Sequence, residues 1–214
     1  MIIVSGGTKG GSGKTTVATN LTVIRTLQGA DVLLIDADDQ QSATDFTAVR
    51  NERLTDGAGF TSIQLAGAAV RTETMRLKKK YQDIIIDVGG RDSTGQRAAL
   101  TVADIVLVPV KPRSFDVWTI GTVGNLIEEA RTINPNLKAF AFLNCADPRG
   151  HDNEEAAELL KSKEQFIFVD APLGNRKAFS NAASDGLSVI EYKPEDEKAV
   201  EEMQTLYKYL INTQ

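Results

Sequence analysis

Residues 1–16 constrain this chain more than any other stretch. Met1-Ile2-Ile3-Val4-Ser5 reads as a buried strand, and Gly6-Gly7-Thr8-Lys9-Gly10-Gly11-Ser12-Gly13-Lys14-Thr15-Thr16 reads as a glycine-rich loop running into a helix. A strand, then glycines, then Gly-Lys-Thr is the order that makes a phosphate-binding loop. Glycine lets such a loop reach positive φ and lay bare backbone N–H groups against phosphate oxygens. The helix that follows points its positive end at the same spot. On this reading Gly10, Gly11, Ser12, Gly13, Lys14, Thr15 and Thr16 surround a nucleotide's phosphates. Lys14 contacts the β/γ-phosphates, and the Thr15 hydroxyl ligates Mg²⁺.

The chain then alternates helical and apolar stretches. Lys14 to Gln28 reads as a helix with Val17, Leu21, Ile24 and Leu27 on one face. Asp31 to Asp36 is an apolar run of the kind found in a parallel strand covered on both faces, and it delivers Asp36-Ala37-Asp38-Asp39-Gln40-Gln41 to the strand's carboxyl end. Three carboxylates in four residues repel one another unless a cation offsets them, and a Mg²⁺·nucleotide supplies one. Ser42 reads as a helix cap with Asp45 behind it. A short strand falls near Ser62–Leu65, and a helix from about Ala68 ends in Lys78-Lys79-Lys80. Three cations there ordinarily complement the helix dipole; a DNA patch is the other reading.

Tyr81 to Asp87 is another buried strand ending in a carboxylate, which places Asp87 near Mg²⁺ through a water. Ile105–Val110 and Leu137–Leu143 are further strands, and between them Ser114 caps a helix carrying Val117, Ile120, Val123, Ile127 and Ala130 on its apolar face, with Trp118 in the core or on a dimer surface. The second of these strands ends at Asn144-Cys145-Ala146-Asp147, where Asn144 serves either an adenine edge or an ordinary turn. A helix follows over Asp152–Ser162, opening with an Asp152…Glu155 box; Phe166–Val169 is a short strand, and Leu173-Gly174-Asn175-Arg176-Lys177-Ala178-Phe179 then leads into a small-residue helix that ends at Gly186. A last helix runs over Pro194–Leu210, with Pro194 at an early position and Val200, Met203, Leu206, Tyr207 and Leu210 along one side.

At 214 residues, 42% hydrophobic and 25% charged, the chain suits one soluble domain, residues 1–214. No apolar run is long enough to span a bilayer, and no signal peptide is expected. Cys145 is the only cysteine and His151 the only histidine. That excludes an internal disulfide and paired-cysteine metal chemistry, and it fits a reducing cytoplasm. The net charge of −5 restricts any nucleic-acid surface to a local patch.

The loop departs from the common Gly-x₄-Gly-Lys-Ser/Thr pattern, with Thr8 at the first glycine and Lys9 as an additional cation. Lys-Gly-Gly-x-Gly-Lys-Thr-Thr resembles the deviant Walker A ATPases of the ParA/MinD group. The resemblance implies that Lys9 reaches across a dimer interface to the partner subunit's nucleotide. It implies that Asp36 and Asp38, matching the family's Asp-x-Asp-Pro-Gln, hold the Mg²⁺ shell and orient the attacking water, with Asp39 replacing proline. After Asp87 the family commonly has two prolines; here Val88-Gly89-Gly90 makes a glycine switch able to offer a backbone N–H to the γ-phosphate. Ala103-Asp104-Ile105-Val106-Leu107-Val108-Pro109-Val110-Lys111-Pro112 resembles the ParA group more than other phosphate-loop families. Guanine specificity is not implied, because Cys145 stands where the Asn-Lys-x-Asp signature has lysine.

The resemblance implies an α/β fold, a mostly parallel twisted sheet with helices on both faces. The expected function is that of a ParA-type partitioning ATPase. ATP and Mg²⁺ lock a homodimer that binds DNA non-specifically through Arg176 and Lys177, and a ParB-like partner stimulates hydrolysis. The chain resembles the short members of the group, which lack an N-terminal helix-turn-helix. The protein is expected in the cytoplasm, associated with the nucleoid when ATP-bound. The rivals are a MinD-like positioning ATPase, disfavoured by the acidic last helix, and a metabolic synthetase on the same scaffold.

Overall fold

The computed structural model describes residues 1–112, 117–147, 149 and 151–212. Among these residues the elements are, in order, β1 (Ile2–Ser5), α1 (Lys14–Leu27), β2 (Val32–Ala37), α2 (Ser42–Arg53), β3 (Thr61–Gln64), α3 (Ala69–Leu77), β4 (Asp83–Val88), α4 (Thr94–Leu100), β5 (Ile105–Val110), α5 (Val117–Arg131), β6 (Lys138–Ala146), α6 (Asp152–Lys161), β7 (Ile167–Phe168), β8 (Leu173–Gly174), α7 (Lys177–Ser184) and α8 (Glu197–Asn212). The strands form one sheet in the order β3-β2-β4-β1-β5-β6-β7, with β8 paired to the end of β6. Every pairing is parallel, so the expected fold class holds.

Side chains alternate between the two faces of each strand, so an all-apolar strand must be covered twice. Ile2, Val4, Leu33, Ile35, Ile84 and Ile86 pack on one side with residues of α4, α5 and α6. Ile3, Leu34, Ile85, Phe140 and Phe142 pack on the other with α1, α7 and α8. The connection from β1 turns towards β2 and that from β4 turns towards β5, so the crevice between them opens at the strands' carboxyl ends, where open α/β sheets bind ligands.

Several local expectations need correction. Leu27, expected on the buried face of α1, is 57% exposed at the helix's last residue, while Ile24 one turn earlier is buried. Ser42 does not cap α2; Gln41 holds that place in a left-handed conformation, and no side chain caps it. The Asp152…Glu155 box does not form, since His151 is the cap residue and its side chain does not cap the helix, meeting Glu154 Oε2 at 3.2 Å instead. The last helix begins at Glu197, three residues beyond Pro194, where the Asp196 carboxylate accepts the Ala199 amide at 3.1 Å. Its buried face is Ala199, Met203, Leu206 and Leu210, with Val200 and Tyr207 only partly covered. The Ser114 cap and the Val117 and Trp118 side chains lie outside the described residues.

Candidate nucleotide site

The register of the sheet assembles the site. Ser5 of β1 stands beside Asp87 of β4, and Asp87 beside Asp36 of β2, so one row across three carboxyl ends carries a hydroxyl and two carboxylates. From that row the chain leaves β1 into the glycine loop and returns at Lys14, whose carbonyl accepts the Ser5 hydroxyl at 2.8 Å. Gly13 precedes α1 with φ 95° and offers no side-chain cap. The first intrahelical bond is Val17 N–H to the Gly13 carbonyl. The amides of residues 14–16 therefore precede the helix ladder and face the cleft with the positive end of the dipole.

Gly10, Gly11, Gly13, Lys14, Thr15, Thr16, Ala37, Asp38, Asp39 and Gly89 to Arg91 line a cleft of about 1070 Å³. That is ample for a nucleotide, since ligand pockets run to roughly 1000 Å³. Behind the loop a second cavity, walled by Val108, Val110, Ile120 and Val123, is chiefly apolar and holds none of the row's carboxylates.

Lys14 is 5% exposed. Burial lowers its pKa, opposed by the nearby Asp87 and Asp38 carboxylates, and its Nζ donates to the Lys9 carbonyl at 2.9 Å. The ammonium is thus held inside the loop's own curve. The Lys9 side chain is exposed at the loop's outer lip.

Asp87 is fully buried, and neither carboxylate oxygen has a hydrogen-bond partner. Burial raises its pKa to about 7, and Asp36 and Asp38 push the same way. The neighbouring Thr15 hydroxyl and Lys14 pull it down, although Thr15 does not reach hydrogen-bond geometry. A buried, unsatisfied carboxylate beside a hydroxyl suits a hard cation with oxygen ligands. The residues at this point therefore fit Mg²⁺.

Asp36, expected to help hold the Mg²⁺ shell, is engaged by the turn that follows β2. Its Oδ1 accepts the Asp38 amide at 3.1 Å, and its Oδ2 accepts the Thr44 amide and hydroxyl, each at 2.8 Å. Both oxygens brace the turn from β2 into α2, which leaves Asp87 as the carboxylate open to a metal. Asp38 lies at the cleft wall beside Gly89; its Oδ1 accepts the Gln40 amide at 3.1 Å and would stand 3.0 Å from a Cβ built on Gly89.

Asn144 does reach the site, but it contacts the loop. Its Nδ2 donates to the Ser12 carbonyl at 2.6 Å and would stand 2.0 Å from a Cβ on Gly13. Gly13 is therefore doubly required, by its φ and by this approach. A bulge in β6 aims Asn144 there, with Cys145 at φ 54° and the register to β8 shifted between Asn144 and Ala146. The expected nucleic-acid pair separates: Lys177 is exposed, whereas Arg176 is gripped by the Glu202 carboxylate of α8, with Nη2–Oε1 at 2.6 Å.

Gln96 was invisible in the sequence. Fully buried on α4, it accepts the Gly7 amide at 3.2 Å while its own Nε2 has no partner. Ser93, capping α4 through the Gln96 amide, places it there. No spacing rule marks a glutamine two residues into a short helix, so only the fold reveals it.

The chain matches known proteins over most of its length. The model of the family described as the CobQ/CobB/MinD/ParA nucleotide binding domain matches residues 3–190. The maintenance of carboxysome distribution protein A of Halothiobacillus neapolitanus is 25% identical over 95% of this chain and 93% of its own length. The chromosome-partitioning ATPase Soj of Thermus thermophilus is 30% identical over 63% of this chain and 65% of its own. Among solved structures, a putative plasmid partition protein from Borrelia burgdorferi bound to AMPPNP superposes with a TM-score of 0.75 at 19% identity, covering 99% of this chain and 98% of that one.

Proposed function

The chain belongs to the CobQ/CobB/MinD/ParA nucleotide-binding family, and from that premise we propose that it is a ParA-type partitioning ATPase. ATP is its substrate, and Asp87 and Thr15 would hold Mg²⁺, with Asp36 bracing the turn beside them. When bound, Mg²⁺ neutralises charge on the β- and γ-phosphate oxygens. The observation that carries this reading is the pairing of a buried Lys14 with an exposed Lys9 on one loop. Lys14 neutralises a nucleotide in its own protomer, while Lys9, exposed on the same loop, serves a nucleotide in a second copy.

In hydrolysis the water oxygen forms a bond to the γ-phosphorus as the bond to the β–γ bridging oxygen breaks. Asp38 orients that water, and the loop amides with the two lysines stabilise the charge on the transferring group. Asn144 holds the loop's shape at Ser12. The ATP-bound homodimer binds DNA without sequence preference, with Lys177 in that interface, and a ParB-like partner carrying the cargo stimulates turnover. It works in the cytoplasm on the nucleoid. Carboxysome, chromosome and plasmid all appear in the names of the relatives, so the cargo is not chosen by the fold. A MinD-like membrane role lacks support, because the apolar face of α8 is buried in the chain's own core and no described helix is long and apolar enough to cross a membrane.

Phosphate release measured against protein concentration tests the reading. Turnover per protomer should rise with concentration in the wild type and stay low in Lys9→Ala. A concentration-independent rate shared by both proteins would refute the dimer-dependent mechanism.

A further inference from the structure

The cations of this acidic chain are unevenly neutralised. Arg50, Arg53 and Arg176, on the side of α2 and α7, each pair with a carboxylate. Arg71, Lys78, Lys79 and Lys80, on and just after α3, are exposed and have no carboxylate partner among the described residues. Arg71 and Lys78 meet Lys138 of β6 around a depression of about 580 Å³. A helix dipole accounts for lysines at the end of α3. It does not account for Lys138 on another element, nor for Arg71 nearly two turns back.

The floor of this depression is already ordered. Asn134 Nδ2 donates to the Leu100 and Ala103 carbonyls at 3.0 and 2.7 Å. Asp104, its one carboxylate, accepts the Ile2 amide at 2.7 Å. Arg71 Nη1 donates to the Thr101 carbonyl at 3.2 Å, which fixes the guanidinium at the rim. Among the described residues that line it, Met75 is the one exposed large apolar side chain. A lipid surface needs an apolar wedge, whereas a polar floor ringed by cations suits the phosphates of a nucleic-acid backbone.

We propose that this pole is a second contact for duplex DNA, independent of nucleotide, made by Arg71, Lys78, Lys79, Lys80 and Lys138. It lies at the amino ends of the strands, roughly 20 Å along a six-residue strand from the phosphate loop. Closure of the loop on ATP does not reach it, and two loops facing each other in a dimer leave the two poles pointing outward. The inference goes beyond the partitioning reading, since it holds whether or not ATP closes a dimer.

The test is fluorescence anisotropy with a random-sequence duplex and nucleotide-free protein, across a salt series. The wild type should bind at low salt with a log–log slope of about −4.5, −0.9 for each of the five phosphates contacted. The triple variant Lys78→Gln/Lys79→Gln/Lys80→Gln should bind at least tenfold more weakly at 50 mM salt, with a slope shallower by about 2.7. The double variant Arg71→Gln/Lys138→Gln, on different elements, should weaken binding in the same sense. ATP hydrolysis by both variants should match wild type, which shows that they fold. No nucleotide-free binding, wild-type binding by both variants, or stronger binding to phosphatidylglycerol vesicles than to the duplex would each overturn the proposal. The ATP-dependent component that Lys9→Ala removes reports on the partitioning reading separately.

Discussion

Gly90 packs directly on the backbone of Gly10: a Cβ on Gly90 would lie 2.6 Å from both the nitrogen and the Cα of Gly10. The segment after β4 is therefore in contact with the phosphate loop, with no side chain between them. Backbone atoms cannot give way as a side chain does, so Gly90→Ala must displace one segment or the other. Nucleotide affinity and hydrolysis should each fall at least tenfold, which corresponds to about 1.4 kcal/mol. Titration with a fluorescent ATP analogue and a phosphate-release assay check this, and unchanged hydrolysis would remove the switch role assigned to Gly89-Gly90.

Asn144 separates a loop-holding role from base recognition. Asn144→Ala leaves the buried Ser12 carbonyl without its donor, a loss of roughly 1–3 kcal/mol. If the side chain acts on the loop, ATP and GTP should weaken by the same factor. A loss confined to ATP would instead mean that Asn144 reads the adenine.

The buried carboxyl of Asp87 makes the nucleotide-free protein sensitive to pH. Its folded pKa of about 7 lies above the ordinary 3.8, so between these values the folded state holds a proton that the unfolded state has lost. Stability thus falls as pH rises through that window, by on the order of 4 kcal/mol at most, and the cost is fully present above about pH 7. In metal-free buffer, Asp87→Asn should be more stable than wild type at pH 8 and should lose this pH dependence. Chemical denaturation at pH 5.5 and pH 8 measures both.

Arg176 is expected to be a strut between β8 and α8. Glu202 accepts from Arg176 and also from the Gly174 amide at 2.9 Å. Both side chains are partly exposed, 28% and 22%, so solvent screening limits their coupling to about 1 kcal/mol. A double-mutant cycle with Arg176→Ala and Glu202→Ala, followed by denaturation, should return that value. Lys177→Ala should leave stability unchanged and weaken only ATP-dependent DNA binding.

The alternation of apolar strands with helical periods, the glycine loop ending in Gly-Lys-Thr, and the carboxylates at strand ends were all legible along the chain. Each rests on short-range rules: side-chain period, backbone freedom, and charge placed at the end of a buried run. These are enough for the parallel sheet and for the place of the nucleotide. Helix starts were read less well, because Ser42 and Asp152 satisfy the sequence pattern of a cap without the backbone geometry that lets the side chain turn back.

The tertiary structure decided what residues distant in sequence do to one another. Strand register set Asp36 and Asp87 side by side and gave them different duties, one oxygen pair spent on Thr44 and Asp38, the other left bare. A bulge at Cys145 turned Asn144 onto Ser12 across 132 positions, and α4 carried Gln96 to Gly7 across 89. Glu202 took up the charge of Arg176, while α3, the residues just after it and β6 gathered cations at the opposite pole. A sequence pattern reports which groups are available. Which of them meet depends on register and packing, and through that meeting each charge and hydrogen bond is either spent or left to act.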